Sequence, residues 1–318
     1  MAEKTGTGPS SDFRELAKSF GGVAAEYDRA RPSYPQELFD ALERLAGRGL
    51  KGARVLDVGA GTGISTRLLA GRGADVLAVE PNAGMAGQFL AVSPGLGLVR
   101  GSGDELPFHD GSADFVTYAQ AFHWTTPERS VPEAIRVLRP GGALALWWNV
   151  KDSSTAWVRA MGERLHAALP TTYHGYGAVD EVTSHLAPYD LRVEHTRLRW
   201  ERRVTVDHMI TDLTSRSYLA ALAPEQRAPL LAVEREALLA EFPDGTVVEP
   251  YVLDLTVALT RPDPRRRPSG DHSADRIADA VSAARTAGVG STDTVAPHPP
   301  DRAGLPVSLR RSGAQCPS

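Results

Sequence analysis

Cysteine and long apolar runs are nearly absent from this sequence of 318 residues. The single cysteine, Cys316, excludes an internal disulfide and any metal site built from several cysteines. The longest apolar run, residues 143–148, is far shorter than the roughly 20 residues of a membrane-spanning helix. Residues 1–14 lack the apolar core of a signal peptide. The sequence therefore predicts a cytoplasmic protein with no membrane segment and no metal.

An excess of positive charge is also lacking. The chain has 35 Lys and Arg against 39 Asp and Glu, a net charge of −4. Dedicated nucleic-acid binders are usually basic, so no nucleic-acid partner is expected. The 42% of hydrophobic residues is typical of globular proteins, and the length suits one large domain or two smaller ones. These features favour a protein that handles a small molecule, as a monomer or a homodimer.

Composition divides the chain into three parts. Residues 1–12 are polar and glycine-containing, and residues 262–318 are rich in Pro, Arg and Ala and poor in large apolar side chains. Neither segment can bury enough surface to offset its ordering entropy, so both are predicted to be disordered. Residues 13–261 form the predicted domain, with a core over 50–150 and a cap and last strands over 151–261.

Predicted strands and helices alternate through the core. Periodicity indicates strands over 54–58, 75–80, 96–101, 114–119 and 143–148, separated by helices over 64–70, 82–91 and 131–138. Such alternation is typical of a doubly wound α/β sheet. Later helical segments near 155–168, 207–222 and 225–241 are predicted to form a cap. Two further strands, over 193–204 and 247–259, would complete the sheet.

A glycine-rich turn follows the first predicted strand. Gly59, Gly61 and Gly63 follow the strand and precede a helix, so a ligand can approach backbone N–H groups at the helix start. A dinucleotide-binding turn would need a third glycine at position 64, which is Ile64. The spacing suits a ligand without a pyrophosphate and counts against a nicotinamide cofactor.

Acidic residues follow the second and third strands of the core. Glu80 ends the second strand, where a carboxylate can accept both hydroxyls of a ribose. Asp104, Glu105 and Leu106 lie in the loop after the third strand, where an acid beside apolar groups can hold an adenine. All of these loops leave the carboxyl ends of parallel strands, where open α/β sheets bind ligands.

These motifs together resemble the class I S-adenosylmethionine-dependent methyltransferases. The matching strings are VLDVGAGTG (55–63), AVEP (78–81), GDELPFHDGSADFV (103–116) and RVLRPGG (136–142). Phe20, Tyr27, RPSYP (31–35) and AFHW (121–124) resemble the subgroup of trans-aconitate methyltransferase. The resemblance covers residues 20–149 and extends loosely to 261. It implies a Rossmann-like seven-stranded sheet with an antiparallel last strand, and S-adenosylmethionine as cofactor.

The resemblance also implies roles for individual residues. The glycine loop would lie under the methionine part, with Glu80 on the ribose and Asp104 and Glu105 beside the adenine. Tyr27 and Arg31 would close over the methionine carboxylate. The predicted cofactor-binding residues are Tyr27, Arg31, Asp57, Gly59, Ala60, Gly61, Glu80, Pro81, Met85, Asp104, Glu105, Leu106 and Gln120.

The acceptor side of the site is less well defined by sequence. His123 follows the fourth strand and could act as the general base for a hydroxyl or amine acceptor, or could be structural. A carboxylate acceptor, already ionised near pH 7, would need no base. Trp124, Trp148, His174 and Tyr176 are candidate acceptor-binding residues, with core packing as the alternative for the tryptophans.

Methyl transfer from S-adenosylmethionine to a carboxylate or hydroxyl oxygen of a small molecule is the function that these features favour. Two alternatives stay open, a protein that binds the cofactor without catalysis and a nicotinamide-dependent oxidoreductase. Residues 215–218, which include Arg216, are placed on a cap helix, where a solvent-facing surface is favoured over a surface that faces the acceptor.

Overall fold

Strands and helices alternate along the chain in the structure, a computed structural model that describes residues 24–169 and 179–261. The strands are β1 (Arg54–Val58), β2 (Asp75–Val79), β3 (Gly97–Val99), β4 (Ala113–Ala119), β5 (Leu138–Lys151), β6 (Leu191–Thr205) and β7 (Thr246–Thr260). The core helices are α1 (Ala24–Ala30), α2 (Gln36–Ala46), α3 (Ile64–Gly71), α4 (Ala83–Val92) and α5 (Pro127–Val137). The later helices are α6 (Ala156–Ala168), α7 (Val179–Leu186), α8 (Val206–Thr214), α9 (Ser217–Ala220) and α10 (Pro224–Glu241).

The seven strands form one mixed sheet in the order β3-β2-β1-β4-β5-β7-β6. The first five strands are parallel, and β7 lies antiparallel between β5 and β6. The chain moves outward from β1 to β3 and then returns to the other side of β1 with β4. Loops leaving β1 and β4 therefore separate at the carboxyl edge, where open α/β sheets bind ligands. The prediction of a doubly wound, Rossmann-like sheet of seven strands is confirmed.

The predicted element boundaries agree closely with the structure in the core. Strand β1 has the predicted bounds, and helix α2 ends at Gly47, which caps it in left-handed conformation. Strand β5 is longer than predicted at both ends, and the helices α1 and α7 were not predicted. The predicted helix over 207–222 is wrong in one respect, because the chain breaks it into α8 and α9.

The main apolar core, called the sheet core, lies between the sheet and helix α2. Leu38, Phe39 and Leu42 of the amphipathic α2 are fully buried against Val55 and Trp147 of the sheet. Burying one such side chain stabilises the fold by about 1.5–3 kcal/mol. The ring of Phe39 meets Trp147 edge-on, with centroids 6.5 Å apart. Trp147 is therefore a core residue, as expected for a strand that is apolar on both faces.

A second cluster joins the cap helices. Met161 and Leu165 of α6 pack with Met209 and Leu213 of α8 and with Leu238 of α10. The separation of this cluster from the sheet core gives the C-terminal half its own apolar centre. Within the described ranges, no helix combines the length and apolar character needed to cross a membrane.

Several sequence predictions lie outside the described residues. They are the disorder of residues 1–12 and 262–318 and the acceptor-binding roles of His174 and Tyr176. Tyr27 lies in α1, but its side chain is also outside the described part of the structure.

Candidate active site

The glycine loop after β1 adopts a conformation that few other residues could take. Gly59, Gly61 and Gly63 all have positive φ, at 68°, 58° and 88°. A Cβ atom on Gly59 would lie 2.5 Å from the Cβ of Ala121, so the backbone there packs against the loop after β4. The N–H groups of Gly59 and Ala60 both donate to the Val79 carbonyl, at 2.8 and 3.1 Å. The loop is thereby attached to β2 and held under the cleft.

The carboxylate of Glu80 organises two loops at once. Its Oε2 accepts from the Gly61 N–H at 2.8 Å, and its Oε1 accepts from the Asn82 N–H at 2.7 Å. Asn82 in turn caps α4 by accepting from the N–H groups of Gly84 and Met85. Burial raises the pKa of Glu80 despite these hydrogen bonds. The carboxylate is thus fixed at the edge of the cleft with its lone pairs turned toward backbone donors and the cavity.

Asp57, in strand β1, supports the glycine loop that follows this strand. The side chain is fully buried, and its two oxygens accept from the hydroxyls of Thr66, at 2.6 Å, and Thr117, at 2.8 Å. Burial raises its pKa to about 6. Asp57 does not line the cavity, so the structure places it as a brace between β1, α3 and β4.

A cavity of about 200 Å³ opens where the loops after β1, β2 and β4 meet. Ten residues predicted for the site line it: Arg31, Gly59, Ala60, Gly61, Glu80, Pro81, Met85, Gln120, His123 and Trp124. The structure therefore brings together residues that are up to 93 positions apart in sequence, from Arg31 to Trp124.

Four other predicted residues of the described chain lie away from the cavity lining. Asp104 accepts from the Thr126 N–H at 2.8 Å, and the side chain of Glu105 is 87% exposed. Leu106 is buried, and its N–H donates to Glu133. Trp148 is 1% exposed and lies behind His123. The backbone of the 103–106 loop still reaches the cavity, through Gly103.

Several lining residues were missed by sequence reasoning. Tyr34, Asn82, Tyr118, Arg216 and Tyr218 all contribute to the cavity wall. Asn82 could have been found, since it follows Glu80 closely and starts a helix. Arg216 and Tyr218 carry no local signal, because only the folding of the cap brings them to the sheet edge.

Gln120 has strained backbone geometry at the end of β4. Its φ of 56° lies in the left-handed region, which non-glycine residues seldom occupy. The backbone N–H donates to the Trp147 carbonyl at 2.9 Å, which helps to hold this conformation. Strain of this kind costs about 1–3 kcal/mol and clusters at functional sites. The geometry turns the Gln120 side chain out of the strand, and the residue lines the cavity.

His123 lies in a short 3-10 helix, Phe122–Trp124, on the cavity wall. The indole N–H of Trp148 donates to its Nδ1 at 3.3 Å. A neutral imidazole that accepts at Nδ1 carries its hydrogen on Nε2. Burial lowers the pKa of His123 to about 4. His123 is therefore neutral near pH 7 and a weak base, with Nε2 as a donor.

Comparisons with known proteins agree with this geometry. A family model described as a methyltransferase domain matches residues 56–146, from β1 into β5. An uncharacterized methyltransferase of Mycobacterium tuberculosis is 39% identical over 230 residues, which are 72% of this chain and 89% of the relative. The chain belongs to this methyltransferase family. It is an S-adenosylmethionine-dependent methyltransferase.

Solved structures share the fold of this methyltransferase. One from Anaeromyxobacter dehalogenans, proposed to be a type II methyltransferase, has a TM-score of 0.57 and 25% identity. The match covers 73% of this chain and 99% of the chain in that structure. A phosphoethanolamine N-methyltransferase 2 of Haemonchus contortus, solved with S-adenosyl-L-methionine, has a TM-score of 0.50 and 16% identity, over 80% of this chain and 61% of its own. These likenesses match the mixed seven-stranded sheet.

The cavity residues of the methyltransferase fit S-adenosylmethionine chemically. Glu80 is a fixed, largely buried carboxylate that can accept ribose hydroxyls. The small Gly59 and Gly61 leave the backbone accessible, and Met85 offers apolar surface. Arg31 supplies a guanidinium group, which suits the methionine carboxylate. Among the residues that the structure describes, no cluster of ligands suits a metal ion.

The N-terminal segment is attached to both sides of the methyltransferase cavity. Asp28 of α1 accepts from the Thr62 hydroxyl at 2.6 Å and pairs with Arg67 at 2.8 Å. Three residues later, Arg31 donates to the Ser215 carbonyl of the cap at 3.2 Å. The segment therefore links the glycine loop to the cap across the cavity wall that Arg31 and Tyr34 form.

Removing the Asp28 carboxylate is expected to speed cofactor release. In D28N the charge that holds Arg67 is lost, so α1 should separate more readily from the glycine loop. We expect S-adenosylhomocysteine to dissociate about tenfold faster, corresponding to about 1.4 kcal/mol, in stopped-flow measurements. D40N is the matched control, since Asp40 pairs with Arg72 on the surface of α2. Equal dissociation rates in D28N and wild type would contradict the linking role.

The neutral state of His123 is open to direct measurement. With a folded pKa of about 4, the imidazole should stay neutral as the pH falls from 7 to 5. The unfolded chain, with a histidine pKa near 6.5, then binds more protons than the folded chain. His123 therefore contributes stability that is present above pH 6.5 and is lost as the pH falls toward 4. An NMR titration should show no shift of the His123 ring signals above pH 5. A titration midpoint near pH 6.5 would contradict the neutral state of His123.

The pH dependence of stability alone does not test His123, because Asp57 also titrates with a shifted pKa. Its folded pKa of about 6 lies above the value near 3.9 of an unfolded aspartate. Asp57 therefore lowers stability as the pH rises from 4 to 6, the opposite direction to His123. The two effects offset each other in a thermal melt, and H123N serves as the control that assigns the NMR signals.

Proposed function

We propose that the methyltransferase methylates an oxygen atom of a small molecule, a carboxylate in preference to a hydroxyl. The observation that carries this proposal is the state of His123. A hydroxyl acceptor needs a general base near neutral pH, and a half-buried imidazole with a pKa of about 4 is a poor one. A carboxylate is already ionised and needs no base. His123 is then a hydrogen-bond donor on the cavity wall, not the base considered in the sequence analysis.

The residues of the chain supply positioning. When bound, S-adenosylmethionine supplies an electrophilic methyl group on a sulfonium centre. We propose that Glu80 holds the ribose, that Gly59, Ala60, Gly61 and Gln120 face the methionine part, and that Arg31 binds its carboxylate. Pro81 and Met85 line the same cavity and are proposed to contact the cofactor there, together with Tyr27. The loop of Asp104, Glu105 and Leu106 is proposed to approach the adenine through the backbone at Gly103, which lines the cavity. Aligned reactants account for much of the rate of such displacements.

The domain organisation and subgroup are parts of the same proposal. We propose residues 13–261 as the methyltransferase domain, with residues 262–318 as a disordered tail outside it. The likeness of the strings at 31–35 and 121–124 to the trans-aconitate methyltransferase subgroup supports a carboxylate acceptor. Trp124 lines the cavity and is proposed to contact the acceptor, and His174 and Tyr176 are further candidates. Trp148 is buried behind His123, so we propose that it supports His123 and does not contact the acceptor.

The acceptor atom can be read from the stability of the product. Purified protein is incubated with tritiated S-adenosylmethionine and pooled small-molecule extracts, and the labelled product is then exposed to mild alkali. A methyl ester releases volatile labelled methanol, whereas methyl ethers and methylamines keep the label. We expect alkali-labile label, and turnover in H123A that keeps the wild-type pH profile. Alkali-stable label, or loss of turnover in H123A with a changed pH profile, would reject the carboxylate proposal.

A further inference from the structure

Two arginines from outside the sheet lie on the cavity wall. Arg31 comes from the N-terminal segment, and Arg216 comes from the cap between α8 and α9. Behind them is Asp212 of α8, which is completely buried and does not line the cavity. Its Oδ2 accepts from Arg216 Nη2 at 2.8 Å, and its Oδ1 lies 3.9 Å from Arg31 Nε. One carboxylate thus orients two guanidinium groups that reach the cavity.

A break between two cap helices turns Arg216 inward. The hydroxyl of Ser215 donates to the Asp212 carbonyl at 2.7 Å, and the Ser215 N–H donates to the Thr211 carbonyl at 3.2 Å. Both bonds close the last turn of α8 at Ser215, and the next residue, Arg216, pairs with Asp212 four residues earlier. The side chain of Arg216 is 9% exposed. The sequence-based expectation that Arg216 faces solvent is therefore wrong.

Asp212 stays ionised although it is buried. Burial alone would raise its pKa, but Arg216, Arg31 and Lys151 hold the pKa well below its usual range. A second buried carboxylate, Glu249 of β7, lies beside Lys151 of β5 and Arg202 of β6. Buried ion pairs contribute little net stability when compared with apolar packing. Their presence next to a cavity is better explained by the orientation that they give to Arg216.

A fixed guanidinium at a cavity wall is suited to carboxylate and phosphate groups, which it binds through two parallel hydrogen bonds. Arg31 already faces the proposed methionine carboxylate, whereas Arg216 belongs to the cap and not to the sheet loops. We propose that Arg216 binds an anionic group, a carboxylate or a phosphate, of the methyl acceptor, with Asp212 as the positioning residue behind it. This inference rests on the proposed function and deepens it.

Three probes with the same ring separate the two anion types from neutral ligands. Benzoate, phenylphosphonate and benzamide are titrated into the full chain saturated with S-adenosylhomocysteine. We expect benzoate or phenylphosphonate to bind at least about tenfold more tightly than benzamide, and the better of the two identifies the anion. This comparison uses the unaltered protein and does not depend on the folding of a variant.

Variants then locate the binding site. R216M should lower the affinity for the preferred anion about tenfold or more, and R216K should restore most of it. The control is R164M, which removes another cap ion pair, with Glu234, away from the cavity lining. Equal binding of benzamide and both anions, no anion binding, or unchanged anion affinity in R216M would overturn the inference. Failure of S-adenosylhomocysteine itself to bind would instead reject the cofactor site.

Discussion

Replacing Glu80 with glutamine should weaken the binding of S-adenosylhomocysteine by about 100-fold, equal to about 2.7 kcal/mol. The carboxylate accepts from two backbone N–H groups, those of Gly61 and Asn82, and an amide can accept from only one of them with its single oxygen. The other donor is left facing an NH₂ group in a largely buried site, which costs about 1–3 kcal/mol. The amide also loses the charge that would bind ribose hydroxyls.

Calorimetry on wild type, E80Q and E163Q measures this effect. Glu163 is an exposed acid of α6, so E163Q repeats the chemical change away from the cavity. We expect E163Q to bind like wild type and E80Q to melt as a folded protein. An affinity for S-adenosylhomocysteine within threefold of wild type in E80Q would show that Glu80 does not contact the cofactor.

The second large effect is expected from an alanine at Gly59. The left-handed conformation at this position, with φ of 68°, costs a non-glycine residue about 1–2 kcal/mol. The new Cβ would also lie 2.5 Å from the Cβ of Ala121, in the loop after β4. Moving that loop adds about 1–3 kcal/mol. We therefore expect G59A to lose about 2–5 kcal/mol of unfolding free energy and to lose measurable cofactor binding.

Alanine variants at two other glycines distinguish the cost of backbone strain from the cost of the Cβ contact. Gly52 and Gly61 also have positive φ, but a Cβ on either has no neighbour within 4 Å. G52A should therefore lose only about 1–2 kcal/mol and bind S-adenosylhomocysteine normally. G61A should lose a similar amount of stability but bind the cofactor more weakly, because its backbone N–H is bound to Glu80 at the cavity. Denaturant unfolding of the three variants measures these losses. Equal losses of unfolding free energy in G59A and G52A would contradict the packing argument.

The sheet could be predicted from sequence because its signals are local. The run at 54–58 holds three branched apolar residues, the amphipathic pattern of α2 ends at Gly47, and positive-φ glycines follow β1. Each of these depends on neighbouring residues only. The break between α8 and α9 falls at residues 215–216, and periodicity over 207–222, which holds neither proline nor glycine, does not reveal it.

The same distinction applies to the site. Residues that directly follow strands, such as Gly59, Glu80 and Gln120, were predicted and line the cavity, because the carboxyl ends of parallel strands share one edge. Asp57 was predicted as a ligand contact, but it lies within β1 and faces two threonine hydroxyls instead. Arg216 reaches the cavity only through tertiary packing, so sequence spacing could not reveal it.

Titration of the full chain with S-adenosylhomocysteine and with NADH tests the central claim most directly. The account predicts micromolar binding of S-adenosylhomocysteine and no binding of NADH, because Ile64 replaces the third glycine of a dinucleotide-binding loop. It also predicts that this binding is weakened about 100-fold in E80Q. Binding of NADH without S-adenosylhomocysteine, or no binding of either, would contradict the assignment of this cavity as the cofactor site of a methyltransferase.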